Sequence, residues 1–292
     1  MFLSRVKLKA DIAGTQLGSV LAERSYGFHK LIWDLFDQDK RDFLYREELA
    51  GEQLGDSVSR GQPIYYLLST QAPKSDNPLF DVECKAYDPD IQVGQRFAFR
   101  LRANPVVTRD GMRHDLVMDE MLCVLRDVCQ RLNLSTAGKK KDLLDRVHSV
   151  DPTNKVFGAI TDIATDKELT VSVEPRYGVR KNLDALIDAS TEKRLMNWLS
   201  DNPSRAGIFS ITQRTVDDEE SDEVYLKSNF VWQGYRNHPI PEKRDRARFT
   251  SVDMSGELEV KDPERFKELL KAGIGPAKGF GCGLMLIRPA FV

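Results

Sequence analysis

Cysteine is scarce and poorly placed for either of its structural uses. The four cysteines, Cys84, Cys123, Cys129 and Cys282, form no CxxC pair and have no histidine at ligand spacing, which argues against both a disulfide framework and a structural zinc. Long apolar runs are missing as well. Stretches such as Leu284 to Ile287 fall far short of the roughly 20 residues of a bilayer span, and Met1 to Arg5 holds no secretory h-region, so a cytoplasmic protein with no membrane partner is expected. No GK[ST] follows any glycine cluster, which removes a P-loop. A basic excess is also absent, with 43 Lys and Arg against 45 Asp and Glu and a net charge of −2. That argues against a uniformly basic nucleic-acid binder, but the charge is segregated. Acid concentrates in Asp217 to Glu223, and base in Lys139 to Lys141 and in Lys243, Arg244, Arg246 and Arg248.

What is present is enough chain to bury a core, 292 residues at 41% hydrophobic content, with alternating and helical patterns in turn. Phe2 to Lys9 alternates, with Phe2, Val6 and Leu8 on one side and Arg5, Lys7 and Lys9 on the other, and predicts a strand. An amphipathic stretch follows from Arg24 to Phe36, then strands at Ile64 to Ser69 and Arg96 to Ala103. In the last of these Phe97, Phe99, Leu101 and Ala103 alternate with Arg96, Arg100 and Arg102, giving one apolar and one basic side. Strand, helix, strand, strand points to a ferredoxin-like half. The C-terminal third repeats the theme with strands at Ile208 to Val216, Val224 to Trp232 and Arg248 to Val260, a helix from Pro263 to Ala272, and a last strand at Leu284 to Arg288. Asp262 is an N-cap, Pro263 occupies the first helical position, and Gly273 stands where a C-cap glycine belongs. The fold class is therefore α+β, with tandem ferredoxin-like (RRM-like) domains at 1–118 and 206–292. The segment 119–205 between them reads as an insertion. Leu122, Leu125, Val128 and Leu132 share a helical face, 133–138 is an extended break, and Lys139 to Ser149 is a second amphipathic helix. The string LRDVCQRLNLSTAGKKKDLLDRV resembles a SAP module, a small helix-extended-helix unit associated with DNA binding, on Leu125, Leu132, Leu134, Gly138, Lys140 and Leu143.

Three motifs carry chemistry. In RSYGFHKLIWDLF, at about 100° per residue, Phe28, Leu31, Ile32 and Leu35 share the core face, and Tyr26, His29 and Trp33 line its margin. A histidine half shielded there can both take and give a proton near neutral pH; a structural histidine packed on Trp33 has the same pattern, and spacing alone favours it. GIGPAKGFGCG, Gly273 to Gly283, packs glycines where backbone turns sharply or approaches a ligand, and its exposed amides could cradle phosphate; a tight packing turn has the same composition. FRLRANP, Phe99 to Pro105, and EKRDRARF, Glu242 to Phe249, place arginines at spacings suited to successive phosphates, as would a solvated strand face.

Taken together, Tyr26, His29 and Trp33, RDFLY at Arg41 to Tyr45, FRLRANP, RHDLVMD at Arg113 to Asp119, FTSVDMSGELEV at Phe249 to Val260 and the terminal GIGPAKGFGCGL resemble, in order, the CasE family of CRISPR-associated endoribonucleases. The resemblance covers about Met1 to Asp119 and Asn229 to Pro289; the segment from Glu120 to about Arg205 looks inserted relative to that family. It implies an endonuclease that cuts a repeat stem-loop in precursor guide RNA and stays on its product hairpin as a subunit of the type I-E Cascade complex. By the same carry-over His29 is catalytic, with Tyr26 as its helper. Gly275, Lys278, Gly279 and Gly281 shape the RNA site, and Arg100, Arg102, Arg113, His114, Lys243, Arg244, Arg246 and Arg248 contact RNA. No clustered carboxylates accompany these motifs, and a ribonuclease that uses the RNA's own 2′-hydroxyl needs none; neither metal nor cofactor is expected. The expected partners are the repeat hairpin, the other Cascade subunits and, through the SAP-like helices, DNA. An RNA-binding subunit without cleavage and a DNA-binding adaptor are the rival readings.

Overall fold

The computed structural model describes residues 1–13, 31–37, 41–49, 63–109, 111–217, 224–240 and 248–290. Alternation sets the first sheet. In β1 (Phe2–Leu8) Ser4, Val6 and Leu8 are buried, because a strand sends successive side chains to opposite faces. β2 (Phe43–Leu49), β3 (Pro63–Ser69) and β4 (Phe80–Ala86) join it in an antiparallel sheet of order β2-β3-β1-β4. One face packs Val6, Tyr65, Leu67 and Phe80 against Ile32, Leu35 and Phe36. The other sets Leu44 and Leu68 against Leu284. β3 is covered on both sides, which explains its unbroken apolar run PIYYLLS. Residues 31–33 are helical, with Ile32 fully buried and Trp33 half-buried, edge-on to Phe43 at 6.0 Å between ring centres. That final turn of the expected helix has its core face where the spacing put it. The segment 70–79 between β3 and β4 holds no helix.

β5 (Arg96–Ala103) buries Phe97, Phe99, Leu101 and Ala103 and turns its arginines the other way. The sequence grouped it with the first half, yet its partners are Arg248–Val260 and Met285–Pro289. From there the chain forms the hairpin β6 (Val106–Arg109) and β7 (Met112–Asp115) and four helices, α1 (Leu116–Arg131), α2 (Lys140–His148), α3 (Asn154–Asp166) and α4 (Gly178–Ser200). Pro105–Gly207, with Phe230–Trp232, is one compact unit, and Met1–Asn104, Ile208–Asn229 and Gln233–Val292 are the other. The helical unit has its own core of Val124, Leu125, Val128, Leu143, Val147, Val156, Ile160, Leu183 and Leu186. Asp115 caps α1 by accepting from the Met118 N–H at 2.7 Å. The extended link to α2 is fixed by Arg146, whose guanidinium donates to the carbonyls of Ser135 and Ala137.

The chain returns through β8 (Phe209–Ile211), β9 (Gln213–Asp217), β10 (Val224–Ser228), β11 (Phe230–Pro239), β12 (Arg248–Val260), α5 (Pro263–Ala272) and β13 (Met285–Pro289). β9 and β10 form a hairpin, and the second sheet runs β11-β12-β5-β13 with β8 also on β12. β5 therefore occupies in this sheet the place that β1 holds in the first, next to the third and fourth strands of its set. The expected strands 208–216 and 224–232 are each divided, at Thr212 and Asn229. Asn229 Nδ2 donates to Thr212 Oγ1 at 2.8 Å, and Glu257 ties both residues through its backbone. α5 has the expected ends: Asp262 accepts from the Arg265 N–H at 3.1 Å, and Gly273 sits at φ +73°. Its Phe266 is buried against Phe97 and Phe209.

Candidate nucleic-acid interface

In the glycine-rich segment after α5, close neighbours leave little or no room for a side chain at Gly273, Gly281 and Gly283. Gly273, Gly275, Gly281 and Gly283 all have positive φ, a conformation costly for other residues. A Cβ on Gly273 would lie 2.8 Å from the Leu44 side chain, and one on Gly281 would lie 3.2 Å from the Tyr45 ring. The loop is pressed onto β2 and held there. Tyr45 donates its hydroxyl to the Gly279 carbonyl at 3.2 Å, Gly283 N–H reaches the Arg102 carbonyl at 2.7 Å, and Ile274 N–H reaches the Gly283 carbonyl at 2.9 Å. Burial of the Tyr45 phenol raises its pKa, so it stays a donor. Cys282 is fully buried beneath the loop, and burial pushes its thiol up to about 12. Of the two readings left open by composition, close packing accounts for Gly273 and Gly281.

Lys278 sits in this loop with its ammonium on the Ala272 carbonyl at 2.6 Å, where it caps the C-terminus of α5. Burial, and then the like charge of Arg41, hold it below the ordinary lysine range. Two cations brought together there place positive charge at this corner of the loop. Beside it runs an aromatic ladder that the sequence did not disclose. His238 of β11 stacks on Phe249 of β12 at 4.6 Å, and Phe249 stacks on Phe280 of the loop at 4.8 Å. His238 Nε2 lies 2.7 Å from Ser251 Oγ. Burial, then Arg102 and Arg236, lower the His238 pKa, with Asp253 opposing them, so its imidazole is held toward the neutral form. No local spacing reveals such a ladder, because its members meet only through strand pairing.

The arginines of β5 divide into two kinds. Arg102 is engaged: its fork donates to both oxygens of Asp253 at 2.9 and 3.0 Å and to the Glu47 carbonyl at 3.2 Å. Arg100 is half exposed, with Glu48 at 3.8 Å. Arg46 of β2, absent from the sequence-based candidates, is buried beside them, with Nε on Glu48 at 2.8 Å and Nη2 at 3.5 Å from Asp253. Arg248, exposed at the start of β12, is the described member of its basic run. Tyr26, His29, Lys243, Arg244 and Arg246 lie outside the described residues. Arg113 and His114 sit on β7 in the helical unit, opposite Thr108 and Val107 of β6, with Arg113 exposed and His114 half-buried. In the same unit Lys139 and Lys141 are exposed, and Asp142 stands at the start of α2, accepting from the Lys139 N–H at 2.8 Å. The acid there answers part of the positive cluster and of the helix dipole.

A family model described as CRISPR associated protein matches residues 1–289 of the chain. No curated protein matches it. Among solved structures, the CRISPR endoribonuclease Cse3 bound to a 19-nucleotide RNA is similar at a TM-score of 0.54 and 18% identity, over 99% of this chain and 100% of that one. Cse3 of Thermus thermophilus, bound to an RNA representing a pre-cleavage complex, gives a TM-score of 0.54 at 18% identity, over 99% of this chain and 98% of that one. At such identity the likeness is one of fold.

Proposed function

This chain belongs to the CRISPR-associated protein family, and from that premise we propose that it is an endoribonuclease that cuts the repeat stem-loop of precursor CRISPR RNA without a metal and keeps the product hairpin as a Cascade subunit. The observation that carries the reading is the family match over residues 1–289. The RNA-bound Cse3 structures of similar fold support it. The two sheets support a tandem ferredoxin-like reading, since each places its first strand between its third and fourth with the second at the edge. In that reading the helical unit stands where the second domain's first crossover helix would be, and α1 with α2 forms its SAP-like part.

The 2′-hydroxyl beside the scissile phosphate attacks that phosphate, giving a cyclic phosphate on the upstream fragment and a 5′-hydroxyl on the downstream one. The enzyme then has to align the phosphate, move two protons and balance charge. His29 takes the proton of the attacking hydroxyl or gives one to the leaving oxygen, and Tyr26 does the complementary work or holds the phosphate. Lys278 and Arg41 supply positive charge at the loop, and Arg100 and the run ending at Arg248 supply it along the RNA. The test is a hairpin with a single 2′-deoxy nucleotide upstream of the scissile phosphate. It should bind and resist cutting, and EDTA should leave cleavage of the all-ribose hairpin unchanged. His29→Ala should slow cutting by about a hundredfold to ten-thousandfold with binding retained. Cleavage of the deoxy substrate at the same bond would point to activated water and overturn the mechanism.

A further inference from the structure

The cleft walled by β2, β5, β11 and β12 contains a buried guanidinium with an unmet donor. Arg46 is 5% exposed; Glu48 takes its Nε and Asp253 lies near its Nη2, but its Nη1 has no hydrogen-bond partner among the described residues. A buried charged donor left unmet is costly. The cleft that Arg46 lines, about 430 Å³ in volume, is also lined by Arg100, Arg236, Gln233, Gly234, Asp253 and Ser255. Its lining therefore sets three arginines against a single acid, and both oxygens of that acid are already taken by the Arg102 fork. Glu48, at the back, is shared between Arg46 and Arg100. Gly234 keeps the space open: it sits at φ +66°, and a Cβ there would lie 3.1 Å from Asp253 Oδ2.

We infer that this cleft is a phosphate-binding subsite, separate from the cleavage site, that takes the sugar–phosphate backbone of a single-stranded segment beside the hairpin; the inference rests on the RNA reading above. Guanidinium forks arriving from three strands match a tetrahedral oxyanion with several acceptor oxygens, and such charge-assisted bonds are the strong ones. The volume suits a nucleotide-sized group and not a duplex. Gln233 and Ser255 at the lining add neutral groups able to hydrogen-bond a sugar or base edge.

The experiment compares wild type, Arg236→Gln and Arg46→Met on three uncleavable RNAs: the hairpin alone, the hairpin with a single-stranded extension of roughly six nucleotides, and that extension alone. Wild type should bind the extended hairpin at least about tenfold more tightly than the bare one, as one or two charge-assisted bonds allow. Arg236→Gln should remove that advantage and lower the salt slope for the extended RNA by about 0.7 per lost phosphate contact, with bare-hairpin affinity unchanged and, in a separate assay, cleavage of the all-ribose hairpin unchanged. Arg46→Met should do the same; if it fails to fold, the exposed Arg236 variant still decides. Inorganic pyrophosphate should displace the short extension from wild type. Equal affinity for bare and extended hairpins, or an advantage that survives Arg236→Gln, would overturn the subsite. Displacement by polyglutamate but not by pyrophosphate would overturn it in favour of an acidic peptide. Failure of the RNA-processing reading shows separately, as absent bare-hairpin affinity in wild type, and the short extension still reports on the cleft.

Discussion

Arg102 and Arg100 stand two residues apart on one face of β5, and the structure gives them opposite jobs that a single set of substitutions can separate. Arg102 and Asp253 have side chains 16% and 15% exposed, and the pair joins β5 to β12 with two bonds of 2.9 and 3.0 Å. Although burial opposes the charge, the hydrogen bond and charge of Asp253 leave Arg102 with a raised pKa. Removing one partner of a largely buried pair costs about 3–5 kcal/mol. The lower end applies here, because both groups keep some water and Arg46 remains near Asp253 at 3.5 Å. A loss of about 3 kcal/mol corresponds to roughly 6–12 °C in melting temperature for a domain of this size. Arg102→Gln should therefore melt early, Asp253→Asn likewise, and the double variant should fall well short of the sum because the two share one interaction. Hairpin RNA affinity measured well below the transition should change little in Arg102→Gln. Arg100→Gln should behave in the reverse manner, with melting unchanged within about 2 °C, as for an exposed side chain, and weaker, less salt-dependent binding of a hairpin RNA that carries a single-stranded extension. If Arg102→Gln melts like wild type and loses more RNA affinity than Arg100→Gln, the assignment of Arg102 to the Asp253 pair is refuted.

Gly273→Ala should destabilise by about 2 kcal/mol or more, since it combines a positive φ with a Cβ 2.8 Å from Leu44 and 3.1 Å from the Gly283 carbonyl; denaturant titration checks it, and a loss under about 0.5 kcal/mol would contradict the packing. The lowered pKa of His238 means that the folded state binds fewer protons than the unfolded one, so its contribution is present above the unfolded value near 6.5 and is lost as pH falls through the folded value. With Arg102, Arg236 and Asp253 all acting on that ring, wild type should lose more melting temperature between pH 7.5 and pH 5.5 than His238→Gln, and parallel curves for the two would reject the assignment.

How much of this was legible in the sequence depended on whether the signal was local. β5, β12 and α5 have the expected limits, because strict alternation, or a cap at each end, states an element's boundaries within its own residues. α3 and α4 were missed for the opposite reason. α3 carries Gly158 and several β-branched residues, which dilute helical propensity. α4 buries Asn182, Ser190 and Thr191 among its leucines, so no clean apolar stripe marks it. Asn182 is satisfied there by the Glu174 and Gly178 backbones, a pattern that appears only after folding. β2 and β4 escaped for a related reason, since FLYREEL and FDVECKA mix charge into short strands.

The same division governs the candidate site. The alternation of Arg96 to Ala103 makes Arg96, Arg100 and Arg102 three equivalent arginines on one basic side, and it is the partner strand that distinguishes them. Asp253 lies opposite Arg102 in the β12–β5 register, and Glu259 opposite Arg96. Arg100 instead faces Ser255. The arginine opposite a neutral residue is the one that lines the cleft, so register, which no window of sequence contains, decides which cation is left for a ligand. The glycine-rich loop follows the same logic from the other side. Its composition announced a close approach, but only the position of β2 shows that Leu44 and Tyr45 are what approach Gly273 and Gly281. The loop's glycines thus serve first to bring its backbone down onto the sheet, and that seating holds the Lys278 ammonium on the end of α5, near Arg41.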